Sequence, residues 1–126
     1  MERFLLICFG GALGTGARYL VGLWAGERFG VAFPYGTLFV NLVGCFAIAF
    51  VMHLALNVTA FSPTLRLALT TGFLGGLTTY SSFNYETAKL FGDGAFGLAA
   101  LNFGLTTLGG FAAGLGGLAL ARALVG

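Results

Sequence analysis

Residues 72–83 read GFLGGLTTYSSF and lie within an apolar segment that is long enough to cross a bilayer. This stretch contains three glycines followed by four serine and threonine side chains, and these residues disfavour an unbroken, lipid-facing helix. Irregular backbone is tolerated at membrane depth only where it is buried in protein or lines a water-filled path. Membrane proteins build ion sites from broken helices that expose carbonyls and hydroxyls. The stretch therefore predicts a helix that breaks mid-membrane beside an ion site.

Composition identifies an integral membrane protein. Of the 126 residues, 58% are hydrophobic and only 8% are charged, and the mean hydropathy is +0.96. Soluble domains carry about 25% charged residues, and so small a globule buries too little of its surface to hide this many apolar side chains. The net charge of +2 is small and scattered along the chain, which argues against nucleic acid as a partner.

Four apolar segments, separated by short polar connections, predict one all-helical domain over residues 1–126 with both termini on the same side of the membrane. Each segment reaches the ~20 residues needed to cross ~30 Å of hydrocarbon. The third and fourth are longer, so we expect them to tilt, break or protrude. The segments run over about Phe4–Ala25, Tyr35–Leu56, Pro63–Leu90 and Ala95–Leu124.

Basic residues give almost no orientation signal, although the positive-inside rule needs an asymmetry to act on. Two interpretations follow: other signals set the topology, or the protein inserts both ways and pairs as an antiparallel, dual-topology homodimer. Glycines spaced four apart let helix backbones approach closely and favour a tightly packed oligomer. The basic residues are Arg3, Arg66 and Arg122 on the terminal side, Arg28 and Lys89 on the other, and Arg18 inside the first span.

The polar groups within the spans are neutral hydrogen-bonding side chains. Glu86 lies only in the last turns of the third span, and the absence of a carboxylate at mid-span argues against a proton-coupled carrier. Asn41 offers amide donors and an acceptor, with Thr37 one turn earlier on the same helix face. Polar groups inside a membrane are costly and are candidates for function; the alternative for each hydroxyl is a bond to its own helix. The hydroxyl candidates are Thr78, Thr79, Ser81, Ser82, Thr106 and Thr107.

Arg18 and two aromatic residues point to an anion. Arg18 either extends to the membrane interface or faces an aqueous entry, where it raises the local anion concentration. Tyr80 and Phe83 are three residues apart and share a face if this segment is helical. An aromatic ring has a positive edge, so rings presented edge-on can contact an anion that has shed its water. Packing alone is the alternative for this pair.

The sequence resembles the Fluc-type, or CrcB-like, family of fluoride channels over essentially its whole length. The longest and most specific marker is the stretch TGFLGGLTTYSSF of residues 71–83. The other markers are residues 10–14 followed by Arg18, residues 36–38, residues 41–44, and Glu86 with Thr87.

The resemblance implies a dual-topology antiparallel homodimer in the inner (plasma) membrane, with two fluoride pathways. It also implies a structural sodium ion at the dimer interface, held by the backbone carbonyls of Gly75 and Thr78 from both subunits. Tyrosine at position 80 departs from the family, in which the first of two paired aromatics is phenylalanine. The implied pathway residues are Asn41, Tyr80, Phe83 and Thr107, to which we add Ser82 and Thr37, with Arg18 near the vestibule.

We therefore predict passive, selective export of cytoplasmic fluoride, which would confer fluoride resistance. Fluoride is small and strongly hydrated, so close donors must replace its water shell. Two alternatives stay open: a small dual-topology carrier that exchanges protons for cations, and an assembly subunit that does not transport. We expect no enzyme, because nothing in the chain resembles a catalytic constellation.

Overall fold

The computed structural model describes all 126 residues, Met1–Gly126, and is helical apart from short connections. The third predicted span consists of several short helices, and the other three spans are single helices. A π-helical segment, Ala68–Leu74, joins the third and fourth helices. The helices are α1 (Glu2–Phe29), α2 (Tyr35–Asn57), α3 (Pro63–Leu67), α4 (Gly75–Leu77), α5 (Tyr80–Gly92) and α6 (Phe96–Val125).

Helices α1, α2 and α6 are each long and apolar enough to cross a membrane. The third predicted span corresponds to residues 63–92, and the structure confirms that this segment is interrupted. Only 16 of the 126 residues are buried within the single chain, and many large apolar side chains face outward. An all-helical membrane protein has this distribution because lipid or a partner subunit covers its outer surface.

The third span begins and restarts at two capping side chains. Ser62 precedes Pro63, and its hydroxyl accepts a hydrogen bond from the backbone N–H of Leu65 at 3.0 Å. The break falls at Thr78 and Thr79, whose backbones are extended, with φ/ψ of −90°/158° and −155°/114°. Helix α5 therefore starts afresh after the break instead of continuing α4.

The glycines of residues 72–83 lie within helical turns, whereas the sequence suggested that they form the break itself. Their small size is used for contact with α1. A Cβ atom at Gly72 would lie 2.8 Å from the carbonyl oxygen of Ile7, and one at Gly76 would overlap the carbonyl of Gly11. Likewise, a Cβ at Gly14 would overlap the carbonyl of Phe73. Helix α1 thus crosses the first half of the third span with backbone against backbone, as small residues allow.

Helix α2 lies between the third span and α6. Its residue Val40, 2% exposed, packs with Leu74 and Leu77 in a small apolar core. Gly44 faces the side-chain methyl of Thr78, and Gly117 of α6 packs closely against the backbone of α2. The break is therefore held against the middle of α2, which places the neighbouring polar residues of α2 beside it.

Candidate functional site

The two polar atoms of the Asn41 side chain both bond to the backbone of Thr79 at the break. Asn41 Nδ2 donates to the Thr79 carbonyl at 3.1 Å, and the Thr79 N–H donates to Asn41 Oδ1 at 2.8 Å. Asn41 is 8% exposed. Because an amide nitrogen carries two N–H groups, one donor of Asn41 remains beyond this pair. The amide thus supplies the hydrogen bonds that the interrupted helix cannot make for itself.

This arrangement leaves the Gly75 carbonyl without a hydrogen bond. In a continuous helix its donor would be the N–H of Thr79, four residues later. That N–H bonds to Asn41 instead, and the N–H of Thr78 bonds to the carbonyl of Leu74 at 3.0 Å. Gly75 is exposed on the surface of the single chain. Its oxygen is therefore free for an external partner.

The Thr78 carbonyl is free for a similar reason. Its helical donor would be the N–H of Ser82, which bonds instead to the capping hydroxyl of Thr79 at 3.2 Å. No other hydrogen bond reaches the Thr78 carbonyl. Two free carbonyls, at Gly75 and Thr78, fit the chemistry of a hard cation, which prefers oxygen ligands and is bound by unwound backbone in membrane proteins. The residues implied by the resemblance thus fit a sodium ion.

A cavity of about 400 Å³ adjoins the break and brings most of the predicted residues together. Phe83 is 3% exposed, and its ring meets the ring of Tyr80 edge-on, with the centroids 5.6 Å apart and the planes at 72°. Tyr80 is 75% exposed, so this side of the cavity is open in the single chain. The lining residues include Asn41, Gly75, Thr78, Thr79, Tyr80, Phe83, Thr106 and Thr107.

The two hydroxyls of α6 differ in availability. Thr107 is exposed, and its hydroxyl donates to the carbonyl of Phe103, one turn earlier, at 2.6 Å. The hydroxyl of Thr106 is buried at the same cavity and has no hydrogen-bond partner. The family resemblance implies Thr107 as the pathway residue, whereas the free hydroxyl belongs to Thr106. No sequence signal separates the two neighbours; in the structure Thr106 lies one turn after Asn102, which is only 1% exposed, and shares its inward face of α6.

Thr37 lies in a different cavity, of about 390 Å³, near the other end of α2. Its hydroxyl donates to Glu86 Oε2 at 3.0 Å, and Glu86 Oε1 is buried without a partner. Lys89 and Asp93 also line this cavity and form an exposed ion pair at 2.9 Å. Thr37 and Asn41 share a helix face, but the structure does not bring them into one site.

Arg18 and Ser82 both make hydrogen bonds that the sequence does not predict. Arg18 is half-buried, and its Nε donates to the carbonyl of Gly76 at 3.1 Å. A cation is favourable at the C-terminal end of a helix, so Arg18 completes the end of α4. Ser82 belongs to the cap of α5, since Thr79 Oγ1 donates to Ser82 Oγ at 3.1 Å. Arg18 thus contacts α4 just before the break, Ser82 contacts Thr79 at the break, and neither lines the two cavities.

Known proteins resemble the chain over its length. The family described as "CrcB-like protein, Camphor Resistance (CrcB)" matches residues 5–118. A protein named fluoride-specific ion channel FluC, from Anaeromyxobacter dehalogenans, is 50% identical over 126 residues, all of both chains. A protein of the same name from Sorangium cellulosum is 45% identical over 125 residues, covering 99% of this chain and 98% of its own. One from Geotalea uraniireducens is 51% identical over 102 residues, 81% of this chain and 82% of its own. Because the match spans most of the chain and the relatives are so similar, the chain belongs to the CrcB-like family.

Proposed function

We propose that this protein is a passive, fluoride-selective channel that lets cytoplasmic fluoride leave the cell and so confers fluoride resistance. The relatives named as fluoride-specific ion channels support this activity, and they do not favour the proton-coupled carrier. The structural observation that carries the proposal is the cavity beside the break, where neutral donors and aromatic edges meet without a charged side chain among the lining residues. A channel of this kind is not an enzyme.

The lining groups match the needs of a small, strongly hydrated anion. The remaining N–H of Asn41 and the unpaired hydroxyl of Thr106 are donors that replace water. The rings of Tyr80 and Phe83 offer their positive edges. Thr107 joins these donors when its hydroxyl leaves its own helix. Fluoride accepts short, strong hydrogen bonds, so a narrow row of such donors favours it over larger chloride.

We place two further residues of the pathway, Thr37 and Ser82, on either side of this cavity. Thr37 lines the second cavity with Glu86, toward the membrane surface. Ser82 lies one residue before Phe83 and contacts the hydroxyl of Thr79. Arg18 lies near the vestibule, and its positive charge next to the break raises the local concentration of anions.

The functional unit in this proposal is an antiparallel, dual-topology homodimer with two pathways. Its supports are the balanced basic residues, the apolar outer surface, and the exposure of Tyr80, which leaves the cavity open on one side in the single chain. A second copy would close that side. The assembly would span the inner (plasma) membrane several times, since that membrane separates cytoplasmic fluoride from the outside.

Sodium is the cofactor of this proposal, bound at the dimer interface by the carbonyls of Gly75 and Thr78 from both subunits. The Gly75 carbonyl has no hydrogen bond and Gly75 is exposed, and both observations support this assignment. When bound, the ion would supply the positive charge that the carbonyl dipoles of both subunits favour. Asn41 and Thr79 keep those carbonyls free by taking up the competing N–H groups.

Fluoride efflux from liposomes tests the proposed activity. Purified protein is reconstituted into vesicles loaded with potassium fluoride, valinomycin is added to carry the balancing charge, and a fluoride electrode records release. Rapid fluoride release with little chloride release in a parallel preparation is the expected result. No fluoride release from protein verified to be dimeric would reject the proposal and favour the assembly subunit, and cation exchange driven by a pH gradient would favour the carrier.

A further inference from the structure

Asn102 makes a polar link between α6 and α5 at a position with almost no solvent access. Its side chain is 1% exposed, and Asn102 Nδ2 donates to Thr87 Oγ1 at 2.9 Å. Asn102 Oδ1 is also buried and has no partner. Burying an amide with one atom unsatisfied is costly. An apolar residue at position 102 would avoid this cost. Packing alone therefore does not explain the asparagine, and its bond to Thr87 indicates a further role.

The hydroxyl of Thr87 makes a second hydrogen bond, to the backbone of Phe83. Thr87 Oγ1 lies 2.8 Å from the carbonyl oxygen of Phe83, one turn earlier in α5. A carbonyl oxygen can only accept, so the hydroxyl donates its single hydrogen to Phe83 and accepts from Asn102. The chemistry therefore fixes the orientation of the Asn102 amide, with its nitrogen toward Thr87. One directed chain of hydrogen bonds runs from α6 to the backbone of Phe83.

The ring of Phe83 is held from the same part of α6. Phe103 follows Asn102 in the chain, and its ring centroid lies 6.2 Å from that of Phe83. Asn102 thus acts on the backbone of Phe83 while Phe103 contacts its ring. Phe83 lines the cavity of about 400 Å³ at the break, 3% exposed.

Helix α5 needs such a constraint because the break disconnects it from α4. Continuous helical hydrogen bonds would fix its rotation about its own axis, but Thr78 and Thr79 are extended. Side chains reach about 5–6 Å from a helix axis, so a rotation of about 20° would displace the Phe83 ring by about 2 Å. Such a displacement is large compared with the tolerance of a narrow ion path.

We propose that Asn102 is a positioning residue for Phe83, and that through Thr87 it sets the rotation of α5 and hence the place of the aromatic edge in the fluoride path. The link to fluoride rests on the proposed function, whereas the positioning of the ring does not. Asn102 itself does not contact the ion in this proposal.

The experiment compares substitutions that cut the link with one that keeps it. Asn102→Leu removes the amide, and Thr87→Val removes the hydroxyl while keeping the shape. Thr87→Ser keeps the hydroxyl. Asn102→Ser, whose side chain is too short to reach Thr87, is measured as well, in case the leucine variant does not assemble. Thr59→Val, in the loop between α2 and α3, is the control for a threonine-to-valine change.

Two readouts are taken on the full-length, reconstituted protein. The first is fluoride efflux. The second is the ¹⁹F NMR signal of 4-fluorophenylalanine incorporated at position 83, which reports the environment of the ring whether or not the protein conducts. Loss of one interhelical hydrogen bond is expected to slow efflux about fivefold and to shift or broaden the ring signal. Thr87→Ser and Thr59→Val should keep both the rate and the signal.

The double variant N102L/T87V distinguishes a shared chain from two separate effects. If Asn102 acts through Thr87, the double variant is no slower than either single variant. Multiplied losses, or an unchanged ring signal in both single variants, would overturn the proposal. If the unsubstituted protein carries no fluoride, the proposed function fails, and the ring signal alone still decides whether Asn102 positions Phe83.

Discussion

Asn41 of α2 holds Thr79 by both polar atoms of its amide, at 3.1 Å to the carbonyl and 2.8 Å from the N–H. The pair supplies two of the hydrogen bonds that the interrupted backbone loses, which lowers the cost of a break inside a membrane, where each unpaired group costs several kcal/mol. It also diverts the N–H that would otherwise bond to Gly75. One asparagine thus stabilises the break, frees a carbonyl and presents a donor to the cavity.

Replacing Asn41 by leucine should affect both stability and conduction. The variant loses two hydrogen bonds to Thr79, which predicts about 1–2 kcal/mol lower stability in the membrane. It also loses a donor to an anion, which predicts about 10- to 100-fold slower fluoride efflux. Thermal unfolding and efflux are measured together. Asn84→Leu, at an exposed position of α5, is the control, and equal effects of the two substitutions would contradict this role for Asn41.

Thr79 offers a test of the sodium site that does not depend on conduction. In Thr79→Val, the N–H of Ser82 is no longer held by the hydroxyl and can bond to the Thr78 carbonyl, which removes a cation ligand. Tenfold weaker sodium binding would lower the sodium-dependent part of stability by about 1.4 kcal/mol. The sodium-dependent part of stability is obtained by comparing the melting temperature in sodium with that in a large organic cation. Thr79→Ser keeps the hydroxyl and should retain the sodium effect; an equal sodium effect in the valine variant would count against the site.

Glycines at the crossing of α1 and the third span predict a position-specific loss of stability. A Cβ at Gly14 meets the backbone of Phe73, whereas nothing lies within 4 Å of a Cβ at Gly16. Overpacking predicts that Gly14→Ala costs about 1–3 kcal/mol. Gly16→Ala should be neutral or slightly stabilising, because alanine favours a helix over glycine by up to about 1 kcal/mol. Denaturant unfolding should give a lower free energy of unfolding for Gly14→Ala than for Gly16→Ala. Equal values would contradict the close contact between α1 and the third span.

Tyr80 should act through its ring and not its hydroxyl. The hydroxyl makes no hydrogen bond within the chain, while the ring meets Phe83 edge-on at 5.6 Å. We expect Tyr80→Phe to keep fluoride efflux within about twofold, and Tyr80→Ile to lower it about fivefold, in line with the energy of an aromatic pair. A large loss in the phenylalanine variant would instead show that the tyrosine hydroxyl takes part in conduction.

The balanced basic residues predict that both orientations occur in one membrane. A C-terminal reporter that is active on only one side should then be active in a cytoplasmic and in an extracytoplasmic version. Two arginines added next to Arg3 should bias the chain toward one orientation. Fewer dimers and slower efflux should follow, with recovery on co-expression of an oppositely biased chain. Full activity of the biased chain alone would argue against antiparallel pairing.

A broken third span is predictable from residues 72–83, because glycines and hydroxyls clustered in an apolar segment have few other stable arrangements. The place of the break is not, because Gly72 and Gly76 lie in helical turns and use their small size for close contact with α1. The free hydroxyl is also beyond the sequence pattern. Thr106 and Thr107 are neighbours that point about 100° apart, and only the rotation of α6 decides which one faces the cavity.

Glu86 and Asn102 show a second limit of the sequence pattern. Glu86 reads as a residue of a helix end, yet it is half-buried and bonded to Thr37. Asn102 lies in an apolar segment with no neighbouring motif, and its partner Thr87 is fifteen residues earlier. Both bonds join different helices, so they depend on packing that no local spacing encodes.

The most direct test of selective fluoride conduction is the reversal potential of currents through the protein in a planar bilayer. With a tenfold gradient of potassium fluoride across the bilayer and equal chloride on both sides, a fluoride-selective channel should reverse near the fluoride equilibrium potential, about 59 mV in magnitude and opposite in sign to the potassium equilibrium potential. Adding a chloride gradient should leave that value unchanged. A reversal potential near zero, or one that follows chloride, would contradict the account.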